Sequence, residues 1–304
     1  MRASRRLIRY RRMDVTKYIK QHLKSGRHHL SRKLSIGPTM QPKDQPLIFL
    51  HVPKTAGTTM RSIIERQYPA ANTYYVYDGA GCFHTTSDLK TLTEDEKKKI
   101  LVYAGHVSYG VHNVIARPSS YYAMLRDPVD RVISYYHHIM NHNPSFKANR
   151  MSLMKFFERK DKQLDNHQTR IVSGVRAPFK GCSEDLLWAA IDNINSDFCT
   201  IGITEMFDQS LLLLSQVLGW KSFKYERKNV SADRPLREYF SKGEINMIRN
   251  SNRLDEMLYS YAKRQIEQQL RETGAKFGDA KELRTASGAL GPHADINVKE
   301  AGQH

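Results

Sequence analysis

Between Leu47 and Gln67 the chain reads LIFLHVPKTAGTTMRSIIERQ, an apolar run that breaks at Pro53 and restarts with helical spacing. Lys54, Thr55, Ala56, Gly57, Thr58 and Thr59 fill the break. At a strand-to-helix turn, successive backbone N–H groups converge where the helix dipole is positive, and an oxyanion fits there. Gly57 is expected to let the backbone approach a ligand, Thr58 and Thr59 to cap the helix, and Lys54 to bring a positive charge. A turn with no ligand could use the same residue types. A triphosphatase loop of the form GxxxxGK[ST] is absent, because here the lysine precedes the glycine.

A second chemical stretch, YYAMLRDPVDRVISYYHH, begins at Tyr121. Asp127 suits an N-cap, Pro128 the first helical position, and Asp130 the third position of a capping-box-like start. Arg126 is left at the strand's carboxyl end and Ser134 two turns into the helix, a fork and a hydroxyl fit to hold a second phosphate. The run KILVYAGH ends at His106, and Gly105 before it is expected to leave room for an acceptor. A histidine after an apolar strand is more often structural than reactive, though one of near-neutral pKa can serve as a general base, with His112 as the next candidate. His51 is expected to fix the turn rather than react, and no catalytic role is assigned to His137 or His138. Asn166 and Arg170, four residues apart, could reach an acceptor together or tie helices. The 13 histidines include no HExxH and no clustered ligand spacing, so no metal is expected.

These residues need a scaffold. The runs LIFLHV, KILVYAGH and SYYAMLRDP read as strands, the first apolar throughout as in a parallel sheet covered on both faces. Helical patterns follow the first and third, and SEDLLWAAIDNIN, MFDQSLLLLSQVLGW and EINMIRNSNRLDEMLYSYAKRQIEQQL make the second half α-rich. The expected fold is α/β: a P-loop-like, doubly wound, mostly parallel sheet flanked by helices, binding ligands beyond its carboxyl edge. Residues 1–45 read as a basic arm and linker, 46–273 as the catalytic domain and 274–304 as a loose tail. Residues 1–34 hold twelve Lys/Arg against one Asp, a net +11 of the chain's +17. Such an arm could touch an anionic membrane or act as a polyanion-binding element; no specific nucleic acid is implied. With no apolar run of ~20 residues and no signal-peptide pattern, cytoplasmic residence is expected. Cys82, Cys182 and Cys199 are too scattered for a disulfide framework.

FLHVPKTAGTT followed by LRDPVDRVISYYHH resembles the carbohydrate sulfotransferases that use 3′-phosphoadenosine-5′-phosphosulfate, in the branch of the heparan sulfate and uronyl 2-O-sulfotransferases. YAGHVSYG, DNHQTRIVSG, IGITEMFDQSLLLL and LDEMLYSYAK extend the likeness over most of residues 47–270. The resemblance implies that Lys54 contacts the phosphosulfate and that Thr55 to Thr59 cradle the 5′-phosphate. It further implies that Arg126 and Ser134 hold the 3′-phosphate and that His106 is the catalytic base. The acceptor would be a hydroxyl of a saccharide or glycolipid; the competing readings are a P-loop-type nucleotide kinase and a non-catalytic polyanion-binding protein that relies on the basic arm. The animal enzymes of the branch carry a membrane anchor; this chain looks more like a bacterial, soluble relative. The Gly-rich segment of the cytosolic steroid and phenol sulfotransferases is missing, and YERKNVSADR, Tyr225–Arg234, would occupy the comparable region.

Overall fold

The structure is a computed structural model that describes residues 45–77, 84–143, 145, 151–220, 225 and 237–273. The basic arm up to residue 44, the tail from 274, Cys82 and all of YERKNVSADR except Tyr225 lie outside the described residues.

Five strands form one sheet: β1 (Leu47–Leu50), β2 (Thr73–Val76), β3 (Val102–Gly105), β4 (Ser120–Leu125) and β5 (Gly202–Ile203). Their order is β2-β3-β1-β4-β5 and every pairing is parallel. The expected doubly wound α/β architecture is the observed one. The described α-helices are α1 (Gly57–Gln67), α2 (Thr86–Thr91), α3 (Glu94–Lys99), α4 (His112–Ile115), α5 (Pro128–His142) and α6 (Leu153–Glu158). They continue with α7 (His167–Ser173), α8 (Glu184–Asp197), α9 (Phe207–Leu218), α10 (Lys242–Ser251) and α11 (Arg253–Thr273).

The apolar strands are buried on both faces because alternate residues serve separate cores. Ile48, Leu50, Tyr121, Ala123 and Leu125 face a cluster with Leu187, Trp188, Leu258 and Tyr261 from α8 and α11. Phe49, Ala104, Tyr122 and Met124 face Met60, Ile63, Ile64, Leu211 and Leu214 from α1 and α9. A third cluster joins α5, α6 and α10 through Val132, Phe156 and Ile248. The long C-terminal helical pattern is broken into α10 and α11 at Asn252. Its side chain is fully buried and donates to the carbonyls of Leu164 and Ile248, each at 2.9 Å.

The chain leaves β1 toward β2 and β3 on one side and reaches β4 and β5 on the other, so the winding reverses between β1 and β4. In such sheets the crevice beyond the carboxyl ends at that point is the binding site. Register brings three loops to a common level there: Leu50 pairs with Gly105 and with Ala123, and Val76 pairs with Gly105.

Gly105 does not make room for an acceptor, as the sequence suggested. Its φ is +151°, and a Cβ there would lie 1.8 Å from the Val76 carbonyl oxygen, so the glycine lets β2 and β3 meet. Gly105→Ala should cost about 2–4 kcal/mol, from ~1–3 of overpacking and ~1 of backbone strain. Urea melts measure it; a loss below about 0.5 kcal/mol would contradict the close approach.

Candidate active site

Strain marks the turn after β1. Lys54 has φ 72° and Ala56 φ 64°, both left-handed without being glycine. Left-handed residues alternating with ordinary ones turn successive N–H groups into one concavity, an anion nest. Ala56 is the N-cap of α1 and makes no side-chain capping bond. Thr58 and Thr59 therefore lie inside the first turn and do not cap the helix, contrary to expectation; Thr58 is exposed and Thr59 buried. The Thr55 hydroxyl donates to the Val52 carbonyl at 2.8 Å, so this threonine braces the loop with its side chain. Gly57 also has a different purpose from the expected one. A Cβ at Gly57 would lie 1.8 Å from His51 Nε2, so the missing side chain admits the imidazole.

Arg126 follows β4 and reaches across the reversal point. Its Nη1 donates to the Lys54 carbonyl at 3.0 Å, while its buried Nε has no hydrogen-bond partner among the described residues. Asp127 is the N-cap of α5, accepting from the N–H groups of Val129 (2.9 Å) and Asp130 (3.2 Å), and Pro128 opens the helix as expected. The capping box does not form. The Asp127 N–H goes instead to Glu205 Oε1 at 3.1 Å, and the Asp130 carboxylate accepts from Arg237 Nε at 2.8 Å. Ser134 is buried on α5.

Parallel register sets Tyr77, His106 and His51 side by side, each one residue past its strand. Ring centroids are 4.9 Å apart for His51 and His106, 4.8 Å for Tyr77 and His106, and 5.7 Å for His51 and Tyr77. His106 is exposed, and its N–H donates to the Val76 carbonyl at 2.9 Å. His51 lies deeper, its Nδ1 2.9 Å from the Tyr77 hydroxyl. Burial, then the neighbouring charges of His106, Arg61 and Lys54, depress the His51 pKa to about 3, so it stays neutral and holds the turn.

Two more histidines face this site, and only one drew notice in the sequence. His138 on α5 is depressed to about 4 by burial first and then by the charge of Lys54, which places α5 beside the loop. His167 at the start of α7 was not singled out. Its Nε2 is buried with no hydrogen-bond partner among the described residues, and burial and then the charges of Arg131, Arg170 and His106 push its pKa well down. Its only sequence signal was its place inside DNHQTRIVSG.

His112 is not a substitute base: its Nδ1 lies 2.6 Å from the hydroxyl of Tyr121, the second residue of β4, away from the carboxyl edge. Asn166 and Arg170 tie elements together. Asn166 Oδ1 accepts from the N–H groups of Leu254 (2.9 Å) and Asp255 (3.2 Å). Arg170 pairs with the Asp165 carboxylate and donates to the carbonyls of Asp165 and Pro178 at 2.9 and 2.8 Å.

Comparison with known proteins decides the family. The family model described as "Sulfotransferase family" matches residues 38–276, which contain the loop, the histidine row and Arg126. The chain belongs to the sulfotransferase family. It is similar to heparan sulfate 2-O-sulfotransferase 1 of Homo sapiens and of Pongo abelii, 24% identical over 205 residues in each case. The matched region is 59% of this chain and 56% of each relative, so this sulfotransferase-family chain spans little more than half their length. Among the described residues no helix is long and apolar enough to cross a membrane, and no group of three or more His, Cys, Asp or Glu could hold a metal ion.

The depressed histidines give the fold a pH dependence. His51 titrates at about 3 folded and near ~6.5 unfolded, so below pH 6.5 the unfolded chain takes up the proton first. The His51 contribution is complete above about pH 6.5 and is lost as the pH drops toward 3, with His138 and His167 acting in the same sense and the raised carboxyls of Asp255 and Glu205 in the opposite one. At pH 4 the His51 share is on the order of 3 kcal/mol, at 1.36 kcal/mol per pKa unit. Urea melts from pH 7 to pH 4 should show the decline, and His51→Gln should flatten it; parallel profiles would remove His51 from the account.

Proposed function

We propose that this chain moves a sulfuryl group from 3′-phosphoadenosine-5′-phosphosulfate to a hydroxyl of a saccharide or glycolipid, with His106 as general base. The observation that carries the reading is the link across the reversal point. A nest of left-handed backbone at Lys54 and Ala56 is hydrogen-bonded through the Lys54 carbonyl to Arg126. Two anion-binding elements within one hydrogen bond of each other suit a donor with phosphate at both its 5′ and 3′ positions. The nest and the N-terminus of α1, without a side-chain cap, fit the 5′ group. The buried Arg126 guanidinium, with Ser134 on the adjoining helix, fits the 3′ group.

The donor supplies an activated sulfuryl group attached to phosphate; the chain's residues do the rest. The amides from Thr55 to Thr59 orient the phosphate side, and Lys54 stabilises charge on the oxygen released when its bond to sulfur breaks. His106, exposed at the same edge, takes the proton from the acceptor hydroxyl as the new S–O bond forms. By analogy with phosphoryl transfer, alignment and charge stabilisation carry most of the catalysis. A well-placed base adds ~10²–10⁴ in rate. His51, held neutral at the buried end of the row, orients its neighbours without competing for the proton.

The reading is supported by the family membership and by the named activity of the 2-O-sulfotransferases it resembles. The test is transfer of radiolabelled sulfur from the donor to a panel of saccharides and glycolipids. His106→Ala should lower turnover about 10²-fold or more while donor affinity stays within about threefold, since its contribution belongs to the transition state. Lys54→Ala should weaken both, because its charge meets the donor before and during reaction. Magnesium-dependent transfer from ATP in place of sulfur transfer would establish the kinase reading instead.

A further inference from the structure

Arg126 is held from behind by a side chain 42 residues away. Gln168, fully buried in the first turn of α7, binds its main chain on both sides. Gln168 Oε1 accepts from the Arg126 N–H and Gln168 Nε2 donates to the Arg126 carbonyl, both at 2.9 Å. A side-chain amide can do this because it offers one acceptor and two donors in a plane. The pair fixes the peptide planes flanking Arg126, and hence the direction in which the guanidinium leaves the strand. That guanidinium then donates to the Lys54 carbonyl at 3.0 Å and keeps a buried Nε with no partner among the described residues.

Gln168 is itself braced. The fully buried Asp255 carboxylate, in the first turn of α11, accepts from the N–H of Gln168 (3.1 Å), the N–H of Thr169 (2.8 Å) and the Thr169 hydroxyl (2.7 Å). Asn252 Oδ1 accepts from the Asn166 N–H at 3.1 Å, closing the same corner. Five buried polar residues from the start of α7 and the α10–α11 junction thus meet behind one residue of the nucleotide crevice.

We propose that Gln168 is a positioning residue for anion recognition: it aims Arg126, and through Asp255 it makes that aim depend on the seating of α11. This rests on the reading of Arg126 as the contact for the 3′-phosphate. A glutamine that served the fold alone would leave ligand discrimination unchanged when replaced. One that aims Arg126 must affect the 3′-phosphate and spare the rest of the nucleotide.

Calorimetry on the full chain with adenosine 3′,5′-bisphosphate and adenosine 5′-monophosphate separates these outcomes, with urea melts to confirm folding. Gln168→Glu keeps the acceptor for the Arg126 N–H but sets a second acceptor against its carbonyl; Gln168→Met removes both bonds at similar volume. Each should weaken bisphosphate binding about tenfold or more and change monophosphate binding less than twofold. The double variant Gln168→Met with Arg126→Ala should bind the bisphosphate no more weakly than Arg126→Ala alone. If Gln168→Met does not fold, the more conservative Gln168→Glu decides. Bisphosphate affinity within twofold of wild type in a folded variant, or equal losses for both nucleotides, overturns the brace while Arg126 dependence stands. A wild-type chain with no preference for the bisphosphate overturns the nucleotide reading and this proposal with it.

Discussion

The hydrogen bond from Arg126 Nη1 to the Lys54 carbonyl joins the two halves of the sheet at the point where its winding reverses. The loop it holds is strained. Left-handed backbone at non-glycine residues costs ~1–3 kcal/mol each and persists only where surroundings over-determine it. Here they do. The Thr55 hydroxyl is bonded to the Val52 carbonyl, the Met60 N–H to the Ala56 carbonyl at 3.1 Å, and the His51 ring fills the space above Gly57. These local contacts hold the nest itself, and Arg126 adds its connection to β4. Local strain at the loop is therefore balanced by local contacts, and the bond to Arg126 joins the turn to the β4 side of the sheet.

The histidine row follows from the same register. Parallel strands in step place consecutive strand ends side by side, so Tyr77, His106 and His51 gather without any sequence proximity. Burial then divides their labour. His51, covered and beside positive charge, is neutral across the physiological range, whereas His106 stands exposed at the rim. A buried imidazole of such low pKa is a poor proton acceptor but a good spacer, since neither tautomer carries charge into the nest. The Tyr77 hydroxyl on Nδ1 restrains the ring and leaves Nε2 over Gly57.

Much of this was legible in the residues. β1, β3 and β4 announced themselves because burial on both faces demands continuous apolar runs, and α1 and α5 because their turns carry Pro, Gly and acidic punctuation. β2, TYYV, escaped because its residues alternate between buried and half-buried and lie beside a proline-containing turn. β5 has two residues, too few for any pattern. The division between α10 and α11 was invisible because Asn252 is a tolerable helix residue until its side chain is claimed by carbonyls elsewhere. Gly57 and Gly105 were recognised as necessary but for the wrong neighbour: a sequence shows that a side chain is missing, not what fills the space. Gln168 and Asp255 could not be found locally at all, since their partners lie 42 and more than 80 residues away.

Two strand-to-helix turns, β1–α1 and β4–α5, open onto the crevice with the same topology, yet only one can use its helix terminus to bind an anion. At α5 the Asp127 carboxylate already occupies the first-turn N–H groups, and Arg237 is paired with both Asp127 and Asp130, leaving negative charge at that end. An anion approaching the α5 terminus would meet a like charge where the dipole would otherwise attract it. At α1 there is no acidic residue in the first turn and no side-chain cap. In the function proposed above, the two turns divide the work, with backbone amides serving one anion at α1 and a guanidinium replacing the helix dipole beside α5. Such a division explains why Arg126 needs its main chain fixed so firmly. An amide nest is aimed by the backbone that forms it, but a flexible guanidinium is aimed only if the residue that carries it is held.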